Sequence, residues 1–200
     1  GPVTVESLGE SQNLTTDSHQ VRGTNYYAQL FTPQQTANIS RVDLYLGKKG
    51  NPSGNLNIEI RTVDAGEWPT STVLTSTTIT SAQISSDGVW VTINFATQPE
   101  LTANTKYAIV LSDPTGAPNA YFKGYFSNAD VYSRGSEYTS GDSGTTWANT
   151  SSDFTFRIYR KRQNTTLTSA NCLAKFNISG GWTIPQTMSY NSTSGLYYYD

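Results

Sequence analysis

Two hundred residues carry a formal net charge of −2, and only 14% of them are charged. That excludes the broad basic face that nucleic acid or an anionic bilayer would need. No run approaches the ~20 apolar residues of a membrane-spanning helix. The single cysteine, Cys172, excludes an internal disulfide and a cysteine-rich metal knot. Thr, Ser, Asn, Gly and Tyr dominate the polar fraction, a mixture expected of an extracellular, cell-surface or virion protein.

Residues 1–23 form a polar segment without sustained periodicity, in which Val3 and Val5 can start an edge strand. Tyr26 to Thr32 reads as a strand that stops at Pro33. From Ile39 to Leu46 the chain alternates, with Val42, Leu44 and Leu46 facing inward and Arg41, Asp43 and Tyr45 outward. Lys48 to Gly54 is rich in turn formers. Leu56, Ile58 and Ile60 then mark a third strand. Gly66 to Pro69 breaks the chain, and Val73 to Ile84 supplies one or two weakly apolar strands.

The next stretch organises the rest. Val89, Val91, Ile93 and Phe95 alternate with Trp90, Thr92 and Asn94, a period of two. After a turn at Gln98–Glu100, Tyr107, Ile109 and Leu111 oppose Ala108 and Val110. Strands so rich in β-branched and aromatic residues must bury a face, and no amphipathic helix is encoded nearby to cover it. The expected cover is a second sheet.

Asp113 to Asn119 reads as a loop and Ala120 to Phe126 as an aromatic strand. Val131–Thr139 and Thr145–Ala148 look like hairpin arms around Ser140–Gly144. Phe154, Phe156 and Ile158 alternate with Thr155, Arg157 and Tyr159. Roughly eight to ten short strands predict an all-β fold, an antiparallel jelly-roll-like β-sandwich over residues 24–160. A polar linker follows at 161–170. Residues 171–200 alternate again, and this hairpin-sized β piece is too small to fold alone. Strand pairing with another copy of the chain, or with further sequence, is expected to complete it.

The order of motifs carries a resemblance. AQLFT is followed by ISRVDLYLGKKGNPSGNLNIEIRT, PTSTVL, GVWVTINF, PELTANTKYAIVL and SSDFTFRIY, from Ala28 to Tyr159. The segment resembles the "choice-of-anchor" jelly-roll modules of secreted, cell-surface and viral surface proteins. The resemblance implies a non-catalytic role in adhesion or carbohydrate binding. It carries no site motif.

Several constellations suggest chemistry. Gly141-Asp142-Ser143-Gly144 imitates a serine-protease nucleophile motif, with His19 earlier in the chain, but both lie in polar, turn-like contexts that favour a hairpin turn. One His and one Cys exclude an ordinary zinc centre. A structural calcium is open to Asp130, Asp142 and Asp153, but no D-x-D-x-D-G loop is present, and solvated turn carboxylates account for them better. Asp43 and Glu59 share a face with Arg41 and Arg61, which makes them ion-pair partners before they are a hydrolytic pair. No cofactor and no enzymatic activity are expected.

The aromatic residues point elsewhere. Trp90 and Tyr45 oppose the core positions of their strands. Tyr121, Tyr125, Tyr132, Tyr138 and Trp147, with Asn128 and Arg134, are expected to form a shallow ligand-binding surface. Rings stack on sugars and also anchor protein interfaces. The expected partner is therefore a glycan or a surface protein. The alternative is a structural subunit of a filament or particle that self-associates through its C-terminal strands.

Overall fold

The computed structural model describes residues 4–163 and, beyond them, the short strands of the C-terminal piece; side chains are described for residues 6–161. The chain divides into two compact units, Glu6–Arg162 and a second made of Gly1–Val5 with Gln163–Asp200.

The larger unit is an antiparallel β-sandwich. Its first sheet is built on β4 (Ala37–Lys49), the longest strand. Along one edge of β4 runs β7 (Val89–Asn94), pairing Val42 with Ile93 and Tyr45 with Trp90, and the short β8 (Glu100–Leu101) continues that edge. Along the other edge lie β10 (Tyr121–Ser127) and β14 (Phe156–Gln163), in succession. Thr155 marks the crossover between them. It donates its N–H to the Tyr125 carbonyl (2.9 Å) and accepts the Tyr45 N–H (3.1 Å). β13 (Asp153–Phe154) and β2 (Asp17–Val21) pair with β10, while β1 (Thr4–Gln12) pairs with β14.

The second sheet runs in the order β12 (Ala148–Asn149), β11 (Glu137–Ser140), β3 (Tyr26–Phe31), β9 (Tyr107–Ser112), β5 (Asn55–Val63) and β6 (Pro69–Thr80). Thus β7 and β9, consecutive apolar runs in the sequence, lie in different sheets. Val73–Ile84 gives one long strand and a short 3-10 turn, and the hairpin around Ser140–Gly144 has shorter arms than its alternation suggests.

The expected inward positions meet between the sheets. Val42, Leu44, Ile93, Phe95, Phe154, Phe156 and Ile158 face Leu56, Ile58, Tyr107 and Ile109 in one buried cluster, with Val91 half-buried at its margin. Truncating Ile93, only 1% exposed, to Ala should cost about 2–5 kcal/mol through lost burial and the cavity left behind. Urea denaturation checks it; a cost near zero would place Ile93 on the wrong face.

The polar N-terminal segment corrects the sequence reading: residues 1–23 supply β1 and β2 of the first sheet. Apart from Val21, which joins the core, their inward positions are polar. Glu10 and Gln12 are buried and His19 is largely so. Glu10 accepts from the Tyr132 hydroxyl, Gln12 donates to the Phe154 carbonyl, and His19 contacts Glu137 of the second sheet.

The other departure concerns β9. All six of its residues are buried, as a continuous apolar run requires. Tyr107, Ile109 and Leu111 face the main core. Ala108 and Val110 face out, where they join Ala28, Leu30 and Tyr138 in a second apolar cluster on the outer face of the sheet, with Tyr26, Val63 and Trp147 packed on it.

In the C-terminal unit, β15 (Leu173–Ala174), β18 (Gln186–Asn191) and β19 (Leu196–Tyr199) form one antiparallel sheet. β16 (Asn177–Ile178) pairs with β17 (Gly181–Trp182). The side chains of Phe176, Trp182, Met188, Tyr190 and Tyr198, which the sequence marks as this piece's apolar surface, lie outside the described residues.

A polar cleft on the outer face of the second sheet

The cover over the outer cluster is incomplete, and a cleft of about 190 Å³ opens beside it. Its base is Leu30 of β3 and Tyr138 of β11. One wall is the loop from Asp130 through Tyr132 and Ser133 to Ser136, and Asn149 of β12 closes another side. Glu67 and Lys106 lie opposite, joined as an ion pair. Trp68, 42% exposed, meets the Tyr138 ring edge to face, with centroids 5.6 Å apart at 89°.

A buried carboxylate holds the loop wall in place. Asp153 is fully buried, and its Oδ2 accepts the backbone N–H groups of Val131 and Tyr132, both at 2.7 Å. Its Oδ1 accepts from Gln29 Nε2 (3.0 Å), while Gln29 Oε1 accepts the Phe154 N–H (2.6 Å). Burial raises the Asp153 carboxyl above its ordinary range, against the lowering pull of the Tyr132 amide, Gln29 and the Val131 amide.

Tyr132 turns inward rather than toward solvent. Its hydroxyl donates to Glu10 Oε2 (2.8 Å) and its ring meets Phe156 edge to face at 5.2 Å. Burial, and then the Glu10 carboxylate, push the Tyr132 phenol well above its ordinary range. Arg134 is also committed. It donates to the carbonyls of Thr32 (2.9 Å) and Pro33 (3.3 Å) and to Asn104 Oδ1 (3.3 Å). Gly135 passes so close to β3 that an added Cβ would sit 1.9 Å from the Leu30 carbonyl oxygen.

The seven residues expected to share one surface are therefore divided. Tyr132 and Tyr138 border the cleft, but both are buried; Arg134 braces its loop, and Trp147 packs on the neighbouring apolar cluster. Asn128 is exposed and donates its N–H to Thr16 Oγ1 (2.8 Å). Tyr121 and Tyr125 lie on the opposite side of the sandwich, on the outer face of the first sheet, where Tyr121 is buried and Tyr125 rests 5.2 Å from Tyr45. They cannot join Tyr138 in one patch, because the whole core separates them. The polar members that complete the cleft, Glu67, Lys106, Asp130, Ser133, Ser136 and Asn149, carry no motif. They converge from four separate stretches of chain.

The other constellations resolve into structural roles. The His19 ring lies between Tyr27 (centroids 4.2 Å) and Phe126 (3.9 Å), and its Nε2 contacts Glu137 Oε1 at 2.7 Å. This pair joins β2 of one sheet to β11 of the other. No hydrogen bond among the described residues joins His19 to Ser143, which lies in the hairpin turn at φ +60. Asp142 caps that turn, accepting from Ser140 Oγ (2.7 Å), the Thr146 N–H (2.9 Å) and Thr146 Oγ1 (2.7 Å), and these bonds lower its carboxyl to about 2. Asp43 and Glu59 lie in different sheets, each paired with its own arginine, Arg41 and Arg61. Among the described residues no three His, Cys, Asp or Glu side chains gather as metal ligands, and no helix is long and apolar enough to cross a membrane.

The cleft offers carboxylate acceptors, an ammonium donor, an amide and hydroxyls beside an aromatic pair. A hydroxyl-rich ligand suits such a lining, because each sugar hydroxyl donates and accepts at once. No protein-family model matches this chain, and no curated protein matches its sequence.

Proposed function

We propose that this sandwich is a non-catalytic binding module of a cell or virion surface, and that the cleft takes a terminal sugar of a neutral glycan. The observation that supports it is the pairing of a polar cleft of about 190 Å³ with the exposed Trp68 beside Tyr138. Trp68 gives a sugar ring an apolar face to lie on, and Asp130, Asn149 and the serines bind its hydroxyls. Lys106 and Glu67 neutralise each other, so affinity should be weak and nearly independent of salt.

A glycan array followed by calorimetry tests the reading. Trp68→Ala and Asp130→Ala should each weaken binding of an array hit by about tenfold or more, the loss of one ring contact or one charge-assisted hydrogen bond. Both side chains are exposed, so the melting temperature should hold. An array without hits, or hits indifferent to both changes, would contradict the assignment.

A second reading, a self-associating structural subunit, is favoured by β6. This outermost strand of the second sheet runs Pro69–Thr80 without one charged residue, and an uncharged edge is open to strand addition. A molar-mass measurement in solution separates the two readings.

A further inference from the structure

The opposite face of the sandwich carries a different chemistry. Trp90, Tyr45 and Tyr125 stand in a row across β7, β4 and β10 on the outer side of the first sheet, all half-buried. Successive ring centroids are 5.5 and 5.2 Å apart. Two glycines make room for them. A Cβ at Gly88 would lie 2.4 Å from the Tyr45 ring and 3.0 Å from that of Tyr125, and one at Gly47 would lie 3.1 Å from Tyr125.

Arg157 reaches over this row, its guanidinium carbon 3.7 Å from the Trp90 ring centroid. Only its Nε is used, donating to Asn13 Oδ1 at 2.8 Å. Among the described residues no carboxylate pairs with it, and its two terminal amino groups have no hydrogen-bond partner. Arg41 makes the contrast. It stacks on Tyr159 at the same 3.7 Å, but Glu6 and Asp43 occupy its fork. Lys49 and Lys123 lie on the same outer face around Tyr121, and neither forms an ion pair among the described residues.

An arginine held flat on an indole, with its outer edge unpaired, is a preorganised fork for a planar carboxylate. Beside it are rings that can lie against a sugar, and two lysines that can receive further negative charge. We propose that this face is a second binding site, for a carboxylate-bearing saccharide such as an oligouronate. Its carboxylate pairs end-on with the two terminal amino groups of Arg157, and its sugar rings run along Trp90, Tyr45 and Tyr125. The chain's low overall charge does not argue against it. On this face Arg41, Lys49, Lys123 and Arg157 outnumber the acids Glu6 and Asp43, and Asp43, though opposite Arg157 in register, is held by Arg41. The proposal is independent of the cleft.

The test is calorimetry of the full chain with an oligogalacturonate, beside a neutral oligosaccharide of the same length, a sulfated one, and poly-glutamate. The oligouronate should bind, more weakly as salt is raised, and the other three should bind at least about tenfold less well. Arg157→Gln and Arg157→Lys should each lose about tenfold or more, the second because an ammonium keeps the charge without the fork. Lys123→Gln, at a half-buried position on the edge of the site, should lose less but measurably. Trp68→Ala, on the other face, should bind the oligouronate as the parent does, which separates this site from the cleft. The proposal is overturned if the oligouronate fails to bind, or if Arg157→Gln leaves its affinity unchanged. Equal binding of the sulfated chain or of poly-glutamate would overturn the carboxylate or the saccharide assignment respectively.

Discussion

Asp153→Ala should destabilise the sandwich by about 3 kcal/mol or more, since each buried donor left without an acceptor costs roughly 1–3 kcal/mol. Three donors depend on that carboxylate: the Val131 and Tyr132 amides and the Gln29 side chain. Asp153→Asn is the more discriminating variant. An amide keeps one acceptor, so its NH2 must face a donor whichever way it turns. Gln29 cannot relieve this by flipping, because its Oε1 already accepts from Phe154 and its Nε2 also donates to the Leu30 carbonyl.

The pH dependence of the parent follows from the same site. Burial holds the folded carboxyl above its ordinary 3.8, so the folded state binds the proton more tightly than the unfolded chain. The parent therefore gains stability from this group as pH falls from the raised value toward 3.8, and loses it as pH rises. The Asn variant has no such term. The gap between the two, read from urea denaturation at several pH values, should widen toward acid. A gap that narrows would mean that Asp153 is stabilised as the anion.

Gly135→Ala should damage the fold and the cleft together. The added carbon would sit 1.9 Å from the Leu30 carbonyl oxygen and 2.5 Å from its carbon, both main-chain atoms of β3 that cannot yield. The loop must lift instead, straining the bond from the Leu30 N–H to the Ser136 carbonyl (2.9 Å). Overpacking of this kind costs about 1–3 kcal/mol. Binding in the cleft should be abolished, because the lifted residues form one of its walls. Oligouronate binding at Arg157, beyond the core, should persist. Retained glycan affinity in a destabilised Gly135→Ala protein would place the binding site elsewhere.

What the sequence disclosed, and what it hid, follows from where partners lie. Strands with one apolar face could be read directly. The inward residues of β4, β5 and β14 are the expected ones, and so is Ile93 of β7. Val91 reaches only the margin of the core and Val89, expected inward, is exposed at the strand's start, while Trp90 and Tyr45 do leave the core their strands define. β1 and β2 could not be read, since, Val21 apart, their inward positions are Glu10, Gln12 and His19. These residues are matched by Tyr132, the Phe154 carbonyl and Glu137, each more than a hundred positions away. The same distance misled the reading of Tyr132 and Tyr138. A tyrosine in a Gly- and Ser-rich stretch reads as displayed, and nothing local reveals the remote acid or the apolar outer cluster that takes it in. The cleft was legible only in part. Its aromatic floor lies in the expected segment, whereas Glu67, Trp68 and Lys106 come from turns on distant strands that folding alone brings near.

The most direct test of the binding account is a titration of the isotope-labelled protein with a neutral array hit, followed by amide chemical-shift mapping. The account predicts saturable shifts confined to the turn at Glu67–Trp68, Lys106, the loop from Asp130 to Ser136, Tyr138 and Asn149. Shifts centred on any other face, or none at ligand concentrations that saturate the calorimetric signal, would contradict it.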